Sequence, residues 1–240
     1  MTAPTAPVAN VPAAFTAVVV AAFAARPGER FSLVLSGGPT AQACYEHLAA
    51  GTGPGTGTRA GAAPTVDWKL VDVYMGDERM VPADDPDANQ RLVQRTLLSR
   101  VGPVGSFTPM STSGPPEQCA AEYHATIERL LAGPGIDLIH LGVGPDGHTA
   151  SLFPGVPELD AGPDQLVAAT LDPNGRNPHP RLTLTLPAIN AARCAVFTVS
   201  GDSKRAAMDQ LRQGADLPAA RVSAVQVIWL VDGAAFGPAP

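Results

Sequence analysis

Ile136-Asp137-Leu138-Ile139-His140-Leu141-Gly142-Val143-Gly144-Pro145-Asp146-Gly147-His148-Thr149-Ala150-Ser151-Leu152-Phe153-Pro154 is the stretch on which the reading of this chain turns. Ile136 to Leu141 is a short apolar run of the kind that forms a buried strand. Gly142, Gly144 and Gly147 then let the backbone turn sharply, as happens where a strand opens into an active-site cleft. Asp146 and His148 sit at the far end of that turn, separated by one residue. A histidine held on a rigid turn at the carboxyl end of a strand is well placed to act as a general base.

The same glycines spell G-x-G-x-x-G, the dinucleotide-binding fingerprint. That fingerprint needs a helix running from the third glycine back along the sheet. Pro154 and Pro157 forbid it, since proline inside a helix costs about 3 kcal/mol. Asp160 and Asp164 lie near the distance expected of a ribose-binding acid, but in a Pro/Gly-rich loop rather than after a second strand. No nicotinamide cofactor is expected.

Working outward, apolar runs alternate with helix-like stretches along the whole length. Strands are predicted at Phe31 to Leu35, Asp67 to Met75, the run into Gly142, Leu166 to Leu171, Leu182 to Leu186, Cys194 to Val199 and Val225 to Val231. Helices are predicted near Phe15 to Ala25, Thr40 to Ala50, Asp87 to Ser99, Glu117 to Leu131 and Asp202 to Gln213. Residues 51–64, nearly all Gly, Thr, Ala and Pro, read as a flexible loop. The alternation implies an α/β fold whose mostly parallel, Rossmann-like sheet is covered by helices on both faces. With no repeat and no linker, a single domain over residues 1–240 is expected.

Bulk composition narrows the function classes. The chain has 240 residues, is 45% hydrophobic and 16% charged, and carries a net charge of -6. An acidic chain without a basic, aromatic-studded stripe is not expected to bind nucleic acid. No run reaches the ~18 apolar residues that span a bilayer. The apolar segment Phe15 to Ala25 lacks a preceding positive charge, so it reads as a buried helix rather than a signal peptide. Cys44, Cys119 and Cys194 are odd in number, far apart and without metal-ligand spacing. Reduced thiols, a cytoplasmic location, no metal and no membrane partner are the expectations, with a monomer as the working oligomeric state.

Four polar or Gly-rich turns follow four of the predicted strands, and in such sheets ligands sit outside the carboxyl ends. Ser36-Gly37-Gly38-Pro39-Thr40 leads from strand to helix, where free N–H groups favour an anion; it also reads as an ordinary turn capped by Ser36 or Thr40. It is not a Walker A loop, because no Gly-Lys-Ser/Thr follows. Lys204 lies near a helix start, where a cation opposes the dipole unless an anion binds there. Arg181, ahead of Leu182-Thr183-Leu184, offers a guanidinium fork to the same phosphate. Asp77-Glu78-Arg79 sets three charges directly after an apolar strand. His47, His124, His140 and His179 read as structural or solvent-exposed.

Together these residues resemble the 6-phosphogluconolactonase family, within the glucosamine-6-phosphate isomerase/deaminase superfamily. The resemblance rests on Leu35-Ser36-Gly37-Gly38, on Trp68 through Gly76-Asp77-Glu78-Arg79-Met80-Val81-Pro82 and on Asp87-Ala88-Asn89. Gly142 through Gly155, Arg181 through Thr185 and Ser200-Gly201-Asp202-Ser203-Lys204 complete it, in the family's order. The resemblance implies a single α/β domain that hydrolyses 6-phospho-D-glucono-1,5-lactone in the pentose phosphate pathway, with a sugar phosphate lactone as partner and no cofactor.

In the expected site His148 takes a proton from water and Arg79 stabilises the oxyanion. Asp146 and Asp77 orient the histidine, the water or sugar hydroxyls, with the division between them open. Ser36, Gly37, Gly38, Thr40, Arg181 and Lys204 are expected at the phosphate. The family's phosphate turn usually reads Ser-Gly-Gly-Ser-Thr-Pro, so Pro39 removes an N–H and a hydroxyl and shifts weight onto Arg181 and Lys204. The sister branch, which isomerises and deaminates amino sugar phosphates, has a glutamate where this chain has Phe153, and Asp-Glu-Tyr where it has Asp77-Glu78-Arg79. That activity is one alternative; a non-catalytic sugar-phosphate sensor is another, although the N-terminal ~30 residues are too short for the DNA-binding module such regulators carry.

Overall fold

The computed structural model describes residues 4, 6–53 and 65–237. Helix α1 (Val11–Ala24) begins where the Asn10 side chain accepts the Ala13 N–H at 2.9 Å and Pro12 fills the first turn. Its buried face, Val11, Phe15, Val19 and Phe23, recurs every fourth residue. Then come β1 (Phe31–Leu35), α2 (Pro39–Thr52), β2 (Val71–Met75), β3 (Asp77–Arg79), α3 (Asn89–Val93), α4 (Ser99–Val101) and β4 (Ser106–Thr108). The chain continues through α5 (Pro116–Ala132), β5 (Leu138–Leu141), β6 (Val167–Thr170), β7 (Arg181–Leu184) and α6 (Leu186–Asn190). It closes with β8 (Cys194–Val199), α7 (Arg205–Arg212), β9 (Gln226–Val231) and α8 (Gly233–Phe236).

Six strands form a parallel sheet in the order β4-β2-β1-β5-β8-β9. From β1 the chain builds outward through β2 and β4, then returns to add β5, β8 and β9 on the other side. The building direction therefore reverses between β1 and β5. At such a switch point the connections leave toward opposite faces and a crevice opens beyond the strand ends. Ser36-Gly37-Gly38 leaves β1 and Gly142 to His148 leaves β5, so the two Gly-rich turns flank that crevice.

The segments expected at Leu166 to Leu171 and Leu182 to Leu186 are strands, but not of the parallel sheet. They are β6 and β7, antiparallel partners in a separate three-stranded sheet ordered β3-β7-β6. Its third member is Asp77-Glu78-Arg79, which sequence reads as a turn. Gly76 marks the exit: its N–H donates to Leu35 O at 2.7 Å and its carbonyl accepts the Leu184 N–H at 2.8 Å. The chain thereby crosses from one sheet to the other, and Arg79 comes to lie opposite Arg181.

Smaller differences have local causes. Trp68–Leu70 forms a 3-10 turn under an Asp67 cap, so β2 starts at Val71. The helix expected from Asp87 starts at Asn89 and carries a π-turn over Gln94–Leu98. Asp202–Lys204 is a 3-10 turn ahead of α7. Gly51 and Thr52 complete α2, and residues 54–64 of the expected loop lie outside the described residues. One contiguous apolar core joins both sheets, with Phe15, Phe31, Leu48, Phe153, Leu182 and Phe197 fully enclosed. Cys44, Cys119 and Cys194 are free and buried. Among the described residues no helix is long and apolar enough to cross a membrane.

Candidate active site

A cavity of about 400 Å³ opens over the β1/β5 switch point. It is lined by all ten residues singled out from the sequence: Ser36, Gly37, Gly38, Thr40, Asp77, Arg79, Asp146, His148, Arg181 and Lys204. Asn89, Arg176 and Asn177 also line it.

The His148 turn is held by its own backbone. Gly144 N–H donates to His148 O at 2.8 Å, and Gly147 N–H to Gly144 O at 3.0 Å. Asp146 Oδ1 accepts from both the His148 N–H at 3.1 Å and the ring Nδ1–H at 2.6 Å. Burial alone would raise the Asp146 acid, but the bonds and charge of His148 outweigh it and hold it down at about 2. Gly144 is required here, because a Cβ would lie 2.1 Å from His148 Nδ1 and 2.7 Å from Asp146 Oδ1. Nδ1 is committed to a carboxylate, and Nε2 has no partner among the described residues. Phe153 packs on the imidazole with ring centroids 4.8 Å apart.

His140 sits eight residues earlier, at the floor of the cavity, and is almost fully buried. Its Nδ1 lies 2.8 Å from the Tyr45 hydroxyl and its Nε2 2.7 Å from Thr198 Oγ1. Burial pushes it down to about 3, so it is a neutral scaffold histidine. The same Tyr45 hydroxyl accepts the Ser36 N–H at 3.1 Å, while Ser36 Oγ donates to His140 O at 2.8 Å. Ser36, expected as a phosphate contact, therefore spends both donors inside the protein and anchors the turn instead. The N–H groups of Gly37, Gly38, Thr40 and Ala41 carry no such bonds among the described residues. They form an open helix N-terminus of the kind that favours an anion.

The cations divide in the same way. The Lys204 side chain makes no hydrogen bond or ion pair among the described residues; burial lowers its pKa, and the Asp146 charge opposes that. Arg176 is exposed and likewise without a partner there. Arg181 differs from the expectation of a phosphate fork. It is 4% exposed, donates to Asn177 Oδ1 at 2.9 Å and Ser151 Oγ at 3.3 Å, and lies 3.7 Å from Asp77 Oδ2. Asp77 is buried too, accepting from Ser151 Oγ at 2.8 Å. Arg79 donates through Nη1 to Asp87 O at 2.6 Å, and its Nε is buried without a partner. No group of three or more His, Cys, Asp or Glu among the described residues is placed to hold a metal.

This arrangement offers a base, an oriented guanidinium and an anion-binding helix start around one cavity. The family model for glucosamine-6-phosphate isomerases/6-phosphogluconolactonase matches residues 4–229. The chain belongs to this family. A 6-phosphogluconolactonase from Synechocystis is 38% identical over 84% of this chain and 81% of its own length. The Homo sapiens 6-phosphogluconolactonase is 35% identical over 86% and 80%. Among solved structures, 6-phosphogluconolactonase from Thermotoga maritima superposes with a TM-score of 0.77 at 29% identity, covering 95% of this chain and 97% of that one. A monomeric glucosamine-6-phosphate deaminase shares the fold, with a TM-score of 0.79 at 17% identity over 98% of both chains.

Within the family frame, Asn89 and Ser151 are the contributors that sequence reasoning left without a role. Asn89 donates through Nδ2 to Asp77 O at 3.0 Å and sits so close to the Ser36-Gly37-Gly38 turn that a Cβ on Gly37 would fall 1.8 Å from its Oδ1. Ser151 carries no motif of its own. The one sequence signal pointing to either was its place within the stretches shared with the family.

Proposed function

We propose that the protein hydrolyses 6-phospho-D-glucono-1,5-lactone to 6-phospho-D-gluconate, the lactone-opening step of the oxidative pentose phosphate pathway. The observation that carries this reading is the His148–Asp146 pair, whose free Nε2 belongs to a residue lining the same cavity as Arg79 and the open N-terminus of α2.

Water gives a proton to His148 Nε2 as its oxygen attacks the lactone carbonyl. The carbonyl oxygen takes the negative charge of the tetrahedral intermediate and is met by Arg79, a contact worth about 3 kcal/mol when well aimed. The intermediate collapses by breaking the bond from the carbonyl carbon to the ring oxygen, and the imidazolium returns its proton to that leaving oxygen. Asp146 holds the ring and supports the imidazolium. Asp77, fixed by Ser151 and backed by Arg181, orients the water or a sugar hydroxyl. Gly37, Gly38, Thr40 and Lys204 receive the phosphate, with Arg181 contributing its charge from behind Asp77.

Phe153 supports hydrolysis over deamination: a buried phenyl against the imidazole supplies no ring-opening acid at the position where the sister branch carries a glutamate. The test is acid release from freshly made 6-phosphogluconolactone in slightly acidic buffer, with spontaneous opening subtracted. A rate well above background is expected, and a rate equal to background overturns the reading.

A further inference from the structure

Glu78 lies between two residues of the proposed chemistry, Asp77 and Arg79, yet is fully buried and is not among the residues that line the cavity. Its carboxylate accepts three backbone N–H groups, each at 2.7 Å. Oε1 takes those of Arg79 and Asn89, and Oε2 takes that of Gln90. Glu78 belongs to β3, whereas Asn89 and Gln90 begin α3, so one side chain ties the charged strand to the segment that returns beside it.

That segment also carries the Asp87 carbonyl, which holds the Arg79 guanidinium through Nη1. Arg79 is therefore gripped twice. Its own N–H binds Glu78 directly, and the carbonyl that aims its guanidinium lies two residues before a second N–H bound to Glu78. The strand pairing with Arg181 and the Val81 N–H hold its backbone further, but among the described residues the guanidinium has no other hydrogen bond and Nε is a buried donor without a partner. The same clamp fixes Asn89, whose Nδ2 reaches Asp77 O.

We propose that Glu78 is a positioning residue, which sets the aim of the Arg79 guanidinium by clamping both the Arg79 backbone and the 87–90 segment. The inference rests on the proposed hydrolysis, in which Arg79 meets the oxyanion. Three N–H groups need an acceptor on both oxygens, which the ionised carboxylate supplies and an amide does not. Burial pushes the Glu78 acid up to about 7, against the pull of the three N–H groups and with the push of Asp77. A carboxylate retained in so unfavourable a place is more readily explained by geometry than by stability.

A double-mutant cycle tests this directly. Misaim of a catalytic group by about 1 Å costs on the order of 10²-fold, so Glu78→Gln should lower kcat roughly 10- to 100-fold. Product affinity, read with 6-phosphogluconate, should stay within about threefold, because the Gly37 turn meets the clamp through the Asn89 side chain, whose Nδ2 bond to Asp77 O does not involve Glu78. In an Arg79→Ala background the same substitution should cost less than about twofold, since the group it aims is gone. Should the amide variant not fold, Glu78→Asp keeps the charge but draws the carboxylate back by one methylene and is measured in the same two backgrounds.

Equal losses in both backgrounds, or no loss in either, overturn the proposal. An Arg79→Ala enzyme with full kcat overturns it as well. Wild-type turnover is measured first, so failure of the hydrolase reading shows separately as an absence of rate above background.

Discussion

On the parallel-sheet side of the cavity, the N–H groups of Gly37, Gly38, Thr40 and Ala41 and the Lys204 ammonium have no partner among the described residues. On the antiparallel side, Asp77, Glu78 and Arg181 are each engaged by two or more protein groups. The β5 turn leaves the parallel sheet between β1 and β8, yet His148 is paired like the groups of the antiparallel side, with Asp146. Groups left open gain their partners only when a ligand arrives, so their energy appears as binding. Groups already fixed in place lose little on reorganisation and act where charge develops in the transition state. Under the proposed hydrolysis, the open groups hold the substrate and the fixed ones transform it.

The comparison breaks most readily at His148. His148→Asn keeps a polar side chain but removes the titratable ring, and general-base catalysis contributes ~10²–10⁴-fold. The expected result is a fall of that size in kcat, with affinity for 6-phosphogluconate nearly unchanged. A decline of the wild-type rate toward low pH is expected, and it should vanish in the variant. Wild-type turnover in a folded variant would pass the role of base to Asp77 or Asp146.

Lys204→Ala probes the open wall and should give the next largest effect. A charge-assisted hydrogen bond is worth roughly 1.5–3 kcal/mol, so KM should rise about 10- to 100-fold while kcat holds. A fall in kcat at constant KM would move Lys204 to the side of the chemistry.

The smallest effect sharpens the contrast within the fixed wall. The Glu78 acid is raised from 4.5 to about 7 in the folded protein, by burial first of all. Its ionised form therefore weighs against folding above about 7, and that weight fades as pH falls toward the unfolded value. Replacing it with glutamine removes the dependence. The Tm of Glu78→Gln relative to wild type should be more favourable at pH 8.5 than at pH 5.5, by the equivalent of about 2 kcal/mol or several degrees. A difference independent of pH would mean that Glu78 does not titrate in this range.

Much of this division was legible in the chain. β1 and β8 run over the residues that the apolar stretches Phe31 to Leu35 and Cys194 to Val199 mark, because each stretch is continuous and bounded by charged or turn-forming residues. The Gly-rich turn with Asp146 and His148 was visible because its bonds are local. What sequence did not reveal depends on partners far along the chain. Asp77-Glu78-Arg79 is a strand only because it pairs with β7, about a hundred residues later. Ser36 loses its donors to Tyr45 and His140, and Arg181 turns to Asp77, Ser151 and Asn177. Side-chain commitments of that kind follow from tertiary packing rather than from periodicity or spacing.

The separation of holding from transforming is tested most directly with two substrates, 6-phosphogluconolactone and unphosphorylated gluconolactone, given to the wild type, Lys204→Ala and His148→Asn. The Lys204→Ala loss in kcat/KM should be ~10- to 100-fold on the phosphorylated lactone and close to nothing on the other. The His148→Asn loss should be of similar size on both, wherever the second is turned over. Equal losses for Lys204→Ala on the two substrates would contradict the division and leave the open wall without its phosphate.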